Sequence, residues 1–475
     1  MIRKRTAAAA MRAATTYAAW REAAGDWERA TGGDAWRSEP ASSHYHADLI
    51  RDQLDVLRQL RADGDVELLI DHLHESLHRN LGDLESRGLY VKSPLGTKHL
   101  IVEYLDEIED TIETLVNAPI PGFGPREKLR VLTRAIGNFG RTALLLSGGA
   151  TLGFYHLGVV KALWRAGLLP EVISGASMGA MVAAGICSRT DAELDELFAP
   201  DVPDLERVGL RFAPLKTIWT NRAVLDPDVL LATIEHNCGG YTFEEAHDRS
   251  GRTLNISVAP TRKRQKPRVL SHLTAPRVFV KSAALASSAV PGMFPPITLT
   301  RRGRGGVEEP YIGTERWIDG SFGGDLPMMR IGRLHNVNHF IVSQVNPHVL
   351  PFAGENRWSP SGVAMRLATA PLRKQAVPVL NAAKVVTRGT PLRQSLNLLL
   401  SLAQQEYGGD IDIHPRFEPG LFLKMMKNPS EADLGRFVLE GQRATWPKLA
   451  MIRDHTRIAR CLSRCEAQLR AELER

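Results

Sequence analysis

The chain has 475 residues, 43% of them hydrophobic and 24% charged, so it can bury a sizeable core and is neither disordered nor collagen-like. Its net charge of +7 is modest, and only 6% of its residues are aromatic. With no basic–aromatic repeat, this composition argues against nucleic-acid binding and suits an anionic membrane surface. The four cysteines are too few and too scattered for a disulfide framework, which indicates a reducing compartment.

The N-terminal quarter of the chain is predicted to be helical. Across residues 14–118, apolar side chains recur at three- and four-residue spacing, as in Leu54, Leu57 and Leu60. The first 20 residues have a basic head followed by alanines, but Arg12 interrupts the apolar run, so a helix is expected rather than an export signal. Proline and glycine then crowd residues 117–125, which predicts a boundary.

Beyond this boundary the pattern changes to short apolar strands that alternate with glycine loops and helices. Strands are predicted at 144–146 and 172–173, and helices at 154–166 and 178–187. This alternation predicts an α/β fold with a mostly parallel sheet between helices. Further strands are predicted at 254–258, 269–270, 317–318 and 340–343.

From about residue 350 the chain is predicted to return to helices. No transmembrane helix is expected, because the longest uncharged runs are too polar or too rich in proline.

A G-x-S-x-G sequence lies between a predicted strand and a predicted helix. It places Ser177 between Gly175 and Gly179. A serine on such a sharp turn needs small neighbours, because its strained backbone brings the flanking residues against the sheet. The helix that follows directs its N-terminal amides at the hydroxyl and stabilises negative charge there. The pattern therefore predicts a nucleophilic serine, and the alternative is a tight turn with an inert serine.

A glycine-rich loop ends the preceding predicted strand, where residues 148–153 read GGATLG. A dinucleotide site is disfavoured because the next strand ends in Ser174 and Gly175 and lacks the acidic residue that would bind a ribose. If the two strands are neighbours, the loop lies beside Ser177 and its backbone N–H groups can stabilise an oxyanion. The alternative is a purely structural turn.

A serine hydroxyl also needs a base, and Asp319 followed by Gly320 at the end of a predicted strand is the candidate. Two mechanisms are open from the residues alone. Asp319 could act directly on Ser177, or it could orient a histidine, for which His335, His339 and His348 are eligible. An Asp-Gly turn without a catalytic role is a third interpretation.

Three motifs in this order, SGGATLG at 147–153, GASMG at 175–179 and IDG at 318–320, resemble those of the patatin-like phospholipase family. Residues 252–260 and 286–296 resemble the family's central strand and its proline-bounded segment. The flanking sequences resemble the branch that contains fungal and plant storage triacylglycerol lipases. The flanking stretches that carry this likeness are 18–20, Trp36, Tyr45, 78–82, 96–100, 406–413 and 441–448.

The resemblance implies a serine esterase acting on triacylglycerol or (lyso)phospholipid, with Ser177 as nucleophile and Asp319 as base of a dyad. It implies a patatin-like core over 142–345, an N-terminal helical domain over 1–118 like the lipase extension, a linker and helix over 119–141, and a C-terminal helical region over 346–475. No metal or organic cofactor and no nucleic acid is implied. The residues that the resemblance assigns to the oxyanion or substrate-binding loop, the elbow and the Asp-Gly motif are Gly148, Gly149, Ala150 and Gly153, then Gly175 and Gly179, then Gly320.

The chain departs from the family at three positions. Ala150 and Leu152 stand where the loop usually has a glycine and a basic residue, as they do in the storage-lipase branch. Ser321 follows the Asp-Gly pair, and its hydroxyl could hydrogen-bond Asp319 and lower the basicity of that carboxylate.

Two further patterns suggest other functions. His74 to His78 fits the H-E-x-x-H zinc-peptidase sequence, with both histidines expected on one face of a helix, although an ordinary half-exposed helix is favoured. Residues 357–405 carry seven Lys or Arg residues, no Asp or Glu, and apolar runs between them, a pattern typical of either an interfacial segment or solvated helices. We therefore expect a lipid substrate at a membrane or lipid-droplet surface and a cytoplasmic protein with peripheral membrane attachment. The rival is a catalytically silent lipid-surface protein, and the sequence does not indicate an oligomeric state.

Overall fold

A computed structural model describes residues 2–199, 227–262, 264–291, 294–321, 326–346, 408–415 and 430–475. Its N-terminal part is helical, as predicted, and several helix starts are capped by side chains. Thr16 accepts a hydrogen bond from the amide of Ala19, and Asp65 accepts one from the amide of Leu68. The helices of this part are α1 Ile2–Ala13, α2 Tyr17–Thr31, α3 Gly33–Ser38, α4 Ala47–Asp63, α5 Val66–Ser76, α6 His99–Asn117 and α7 Pro125–Phe139, with 3₁₀ turns at Leu81–Asp83 and Arg87–Tyr90.

A seven-stranded sheet forms the centre of the fold, with the order β4-β3-β2-β1-β8-β9 and β7 paired to β3. The pairs β1–β2, β2–β3, β1–β8 and β8–β9 are parallel, whereas β4 and β7 run antiparallel to β3. The predicted α/β class is therefore confirmed. The strands are β1 Arg141–Leu146, β2 Val172–Gly175, β3 Thr253–Pro260, β4 Arg268–Leu270, β5 Thr300–Arg302, β6 Glu308–Pro310, β7 Trp317–Asp319, β8 Val337–Ser343 and β9 Ile411–Ile413, of which β5 and β6 form a separate hairpin.

Helices cover the sheet because both of its faces are apolar. Leu144 and Leu146 of β1 belong to the main core, whereas Ala143 and Leu145 belong to a smaller cluster on the other face. A strand buried on both sides reads as a continuous apolar run, which is why β1 could be predicted. The remaining helices are α8 Phe154–Arg165, α9 Met178–Cys187, α10 Asp191–Phe198, α11 Pro227–Cys238, α12 Phe243–Ser250, α13 Val280–Ser287, α14 Met328–His335, α15 Glu431–Thr445 and α16 Leu449–Leu473.

The main core is continuous across the chain. It contains Leu54 of α4, Leu144 of β1 and Leu469 of α16 in one cluster of buried side chains. Helices α8 and α15 approach each other at backbone distance, because a Cβ at Gly158 would overlap the carbonyl oxygen of Val438. The N-terminal helices, the sheet and the C-terminal helices are thus packed as one unit.

Three sequence expectations need correction or lie outside the described residues. Helix α5 ends at Ser76, so His78 lies exposed beyond it and shares no helix face with His74. Strand β9 lies in the region beyond residue 350 that was predicted to be helical. The basic stretch 357–405 is outside the described residues. Within the part of the chain that is described, no helix is long and apolar enough to cross a membrane.

Candidate active site

The predicted elbow is a sharp turn between β2 and α9. Ser177 has φ 53° and ψ −125°, a left-handed conformation that side chains rarely adopt. The two flanking glycines make the turn possible: a Cβ at Gly175 would overlap the carbonyl of Gly179, and a Cβ at Gly179 would lie 2.6 Å from the carbonyl oxygen of Ser147. The strain therefore presents a partly exposed serine at the N-terminus of α9, with its backbone held against the sheet.

A second serine, Ser287, binds the backbone of the elbow. The amide of Ser177 donates a hydrogen bond to Ser287 Oγ at 3.0 Å, and the Ser287 hydroxyl donates to the carbonyl of Ser257 at 2.7 Å. Ser287 ends α13 and is buried. The sequence analysis missed this role, although Ser287 lies within the segment 286–296 that the analysis had singled out.

Asp319 is the last residue of β7 and lies close to the elbow. This strand pairs with β3 so that Asp319 lies opposite Val258, and a Cβ at Gly320 would overlap the Ser257 carbonyl oxygen. Glycine is therefore required at the second position of the Asp-Gly pair. The close approach brings the carboxylate near the elbow, where the side chain of Ser177 lowers its pKa.

The environment of Asp319 shifts its acidity in opposing directions. Burial, the largest cause, raises the pKa of the carboxyl from 3.8 to about 6. Ser321 and the side chain of Ser177 oppose this increase, and the Ser321 amide donates a hydrogen bond to Oδ1 at 2.8 Å. The hydroxyl of Ser321 lowers the pKa of Asp319, in the direction expected from the sequence. A carboxyl with a pKa of about 6 is ionised at neutral pH and remains a stronger base than an exposed aspartate.

The glycine-rich loop lies beside this pair because β1 and β2 are neighbours, with Leu146 opposite Gly175. A Cβ at Gly148 would lie 3.3 Å from the Cβ of Ser177 and 2.9 Å from Ser321 Oγ. At Gly149 a Cβ would overlap the side chain of Val345, and at Gly153 it would overlap Met178, the residue after the serine. Ala150 is exposed, has φ 47° and begins a 3₁₀ turn that ends at Gly153.

Comparison with known proteins identifies two matched regions in the chain. The family model of patatin-like phospholipases matches residues 144–330, and that of a domain of unknown function, DUF3336, matches residues 2–135. The chain contains a patatin-like domain. Strands β2, β3 and β7 lie within the matched range, and β1 extends from Arg141 into it.

Three curated relatives are similar to this chain over most of its length. Triacylglycerol lipase SDP1L of Arabidopsis thaliana is 34% identical over 96% of this chain and 57% of that protein. Triacylglycerol lipase 4 and triacylglycerol lipase 5 of Saccharomyces cerevisiae are 32% and 31% identical over 93% of this chain, which covers 51% and 62% of their lengths. The chain thus spans between about half and two thirds of the length of these relatives.

The two candidate histidines that are described have other partners. His335 Nε2 lies 2.8 Å from Asn255 Oδ1. His339 Nδ1 lies 3.1 Å from Thr142 Oγ1, at the start of β1, whereas the elbow lies beyond the end of β2. His348 is outside the described residues. Among the described residues, the acidic group whose pKa the side chain of Ser177 affects is Asp319.

A buried histidine that the sequence analysis did not select supports the glycine loop. His156 Nε2 lies 2.9 Å from the Ser147 carbonyl oxygen, and Nδ1 lies 2.7 Å from Ser343 Oγ. A carbonyl only accepts, so Nε2 carries the proton and Nδ1 accepts from Ser343. Burial lowers the pKa of His156 to about 4, which keeps the ring neutral. His156 of α8 thus connects the start of the glycine loop with β8 through two hydrogen bonds.

Proposed function

We propose that this protein is a serine esterase that hydrolyses the acyl esters of triacylglycerol or (lyso)phospholipid through a Ser177–Asp319 dyad. The observation that carries the proposal is that the strained, partly exposed Ser177 lies close enough to the buried Asp319 to lower the pKa of its carboxyl. A hydroxyl needs an adjacent base to become a nucleophile, and Asp319 is positioned as that base. The names of the curated relatives, triacylglycerol lipases, support the substrate class.

In this mechanism Ser177 Oγ attacks the ester carbonyl carbon while its proton passes to Asp319. The resulting oxyanion is stabilised by the amides of Gly148, Gly149 and Ala150 and by the N-terminus of α9. Asp319 then protonates the leaving alcohol, and the acyl group stays on Ser177. A water molecule, deprotonated by Asp319, attacks this acyl-enzyme and releases the fatty acid.

The charge and the cysteines of the chain suit a lipid surface in a reducing compartment. We infer that the substrate is met at a membrane or lipid-droplet surface on the cytoplasmic side, because the chain has a basic excess and its cysteines Cys187, Cys238, Cys461 and Cys465 are buried free thiols. We also propose the domain division given above, with the helices of residues 1–118 as an accessory domain packed on the catalytic core.

A fluorophosphonate probe is expected to label Ser177 and no other serine. The strained turn exposes this hydroxyl and Asp319 activates it, whereas Ser287, which also lies at the site, is buried and donates to a carbonyl. Mass spectrometry of the digested protein identifies the labelled residue, and Ser177→Ala is the control that should not react. Label on another serine would contradict the elbow assignment, and unreactive protein would favour the silent lipid-binding alternative.

The pH profile should follow the ionisation of Asp319. As a base, Asp319 must be deprotonated, so kcat/KM on a soluble ester should fall about tenfold per pH unit below a pKa of about 6. Ser321→Ala removes a hydrogen bond that favours the charged form, so its acid limb should move to higher pH. An acid limb at pH 4, or one that does not move in Ser321→Ala, would contradict the assignment of Asp319.

A further inference from the structure

Three polar side chains from distant parts of the sequence lie together near the start of β8, at the end of the parallel strands opposite to the elbow. Glu85 lies between the 3₁₀ turns, His339 is in β8 and His455 is in α16. One potential ligand atom of each lies within 4.8 Å of the others. His339 pairs with Thr142 at the start of β1, whereas Ser177 follows the end of β2. The cluster is therefore separate from the dyad.

The two histidines of this cluster are buried with nitrogen atoms that have no hydrogen-bond partner. His339 is fully buried and His455 is 6% exposed. Nε2 of His339 and both ring nitrogens of His455 are without a partner, although His339 Nδ1 is fixed by Thr142 Oγ1. A buried polar atom without a partner costs about 1–3 kcal/mol, so its presence calls for an explanation.

The surroundings provide the support that a bound cation needs. Arg79 donates to Glu85 Oε1 at 3.1 Å and to the His455 carbonyl at 3.2 Å, so it orients the carboxylate and the helix that carries His455. Asp454 is also buried nearby, bonded to Tyr90 and Arg453.

A small cavity adjoins the cluster. It has a volume of about 30 Å³ and is lined by Glu85, His455, Tyr104 and Ser76 among others. The hydroxyls of Tyr104 and Ser76 are further buried groups without a hydrogen-bond partner. A space of this size is sufficient for a water molecule next to a bound ion.

We propose that Glu85, His339 and His455 bind a zinc ion, with water from the cavity as the fourth ligand. Two imidazoles and one carboxylate are a ligand set that zinc accepts, at about 2.0–2.2 Å for each bond. The ion would satisfy Nε2 of His339 and one of the two ring nitrogens of His455, and it would join the N-terminal part, the sheet and α16. Its role is structural, because the proposed dyad lies at the other end of the parallel strands. This site is independent of the proposed esterase activity.

The test measures zinc binding by the full-length chain after treatment with a chelator. We expect one equivalent of Zn²⁺ to bind and to raise the melting temperature, and Co²⁺ in its place to give visible d–d absorption. Glu85→Gln and His455→Gln should each weaken zinc affinity about a hundredfold or more, since even supporting residues of a metal site affect affinity by 10- to 100-fold. The matched control is the double variant His74→Gln and His78→Gln, which removes the H-E-x-x-H histidines and should bind zinc normally.

Three results would overturn the proposal: no stoichiometric zinc in the unmodified chain, affinity unchanged in both ligand variants, or binding lost in the His74 and His78 double variant. If the ligand variants do not fold, X-ray absorption of the zinc-loaded unmodified chain decides. Two imidazole ligands and no sulfur support the site, and any other count rejects it. Fluorophosphonate labelling of Ser177 in the zinc-free protein tests the esterase proposal separately.

Discussion

Replacing Asp319 with asparagine should lower the turnover number on a lipid ester by about three orders of magnitude or more, because the proposed base for Ser177 is lost. Asparagine has nearly the same shape and keeps an oxygen that can accept from the Ser321 amide. The loss is therefore expected in catalysis and not in folding. Turnover measured with a soluble short-chain ester keeps the result free of effects on lipid binding.

Stability provides the control for this variant. The pKa of Asp319 is raised from 3.8 to about 6, so the folded state disfavours the carboxylate, and this cost is complete above pH 6 and absent below pH 3.8. At about 1.4 kcal/mol for each pH unit between these values, Asp319→Asn should gain up to roughly 3 kcal/mol in the free energy of unfolding at pH 8 and almost nothing near pH 4. Urea denaturation at the two pH values measures the difference.

The histidine alternative is tested in parallel. His335→Ala and His348→Ala should each keep most of the activity, because the proposed base is Asp319 and His335 bonds to Asn255. If either variant loses as much activity as Ser177→Ala, a triad operates and the dyad must be given up.

Gly179→Ala should reduce turnover at least about a hundredfold and destabilise the fold by about 1–3 kcal/mol. The added Cβ would overlap the carbonyl oxygen of Leu146 and lie 2.6 Å from that of Ser147, and neither backbone group can rotate away. Helix α9 must therefore shift from β1, which moves Ser177 relative to Asp319. Urea denaturation and steady-state kinetics measure the two effects.

The same helix contains a matched control for this substitution. A Cβ at Gly185 would meet Arg189 Nη1 at 3.3 Å, the far end of a flexible side chain. Since alanine is favoured over glycine in a helix by roughly 0.5–1 kcal/mol, Gly185→Ala should leave turnover unchanged and stabilise the protein slightly. Equal losses in the two variants would indicate that any added methyl group disrupts α9, and would remove the argument for a close approach at the elbow.

The α/β core was predictable because its signals are local. Helix α9 has the predicted bounds Met178–Cys187, and all six predicted strands are present. The glycines of the elbow were predictable because a left-handed turn against a sheet excludes larger residues. Ser287 and His156 were not, since their roles arise from hydrogen bonds to strands that are remote in the sequence. A serine at the end of a helix and a histidine inside one have no distinguishing pattern of their own.

The mispredicted elements have a common physical cause. The H-E-x-x-H pattern matched by spacing, but the helix ends at Ser76 and the chain continues through 3₁₀ turns in which Asn80 and Asp83 have positive φ. Strand β9 is only three residues long, and its neighbour β8 supplies the partner that makes it a strand. In both cases tertiary contacts outweigh the local preference of the chain. Such contacts cannot be read from a single sequence.

The central position of β1 affects how the protein can be expressed in pieces. A fragment limited to residues 144–330 would keep Ser177 and Asp319 but would lose β8, which pairs with β1 along its whole length. The freed edge of β1 would be long, apolar and unpaired, the kind of edge through which chains aggregate. Removal of α15 would also expose the face of α8 that carries Gly158. The smallest soluble fragment that keeps Ser177 and Asp319 is therefore expected to extend at least to α15, and recombinant work should retain both flanks.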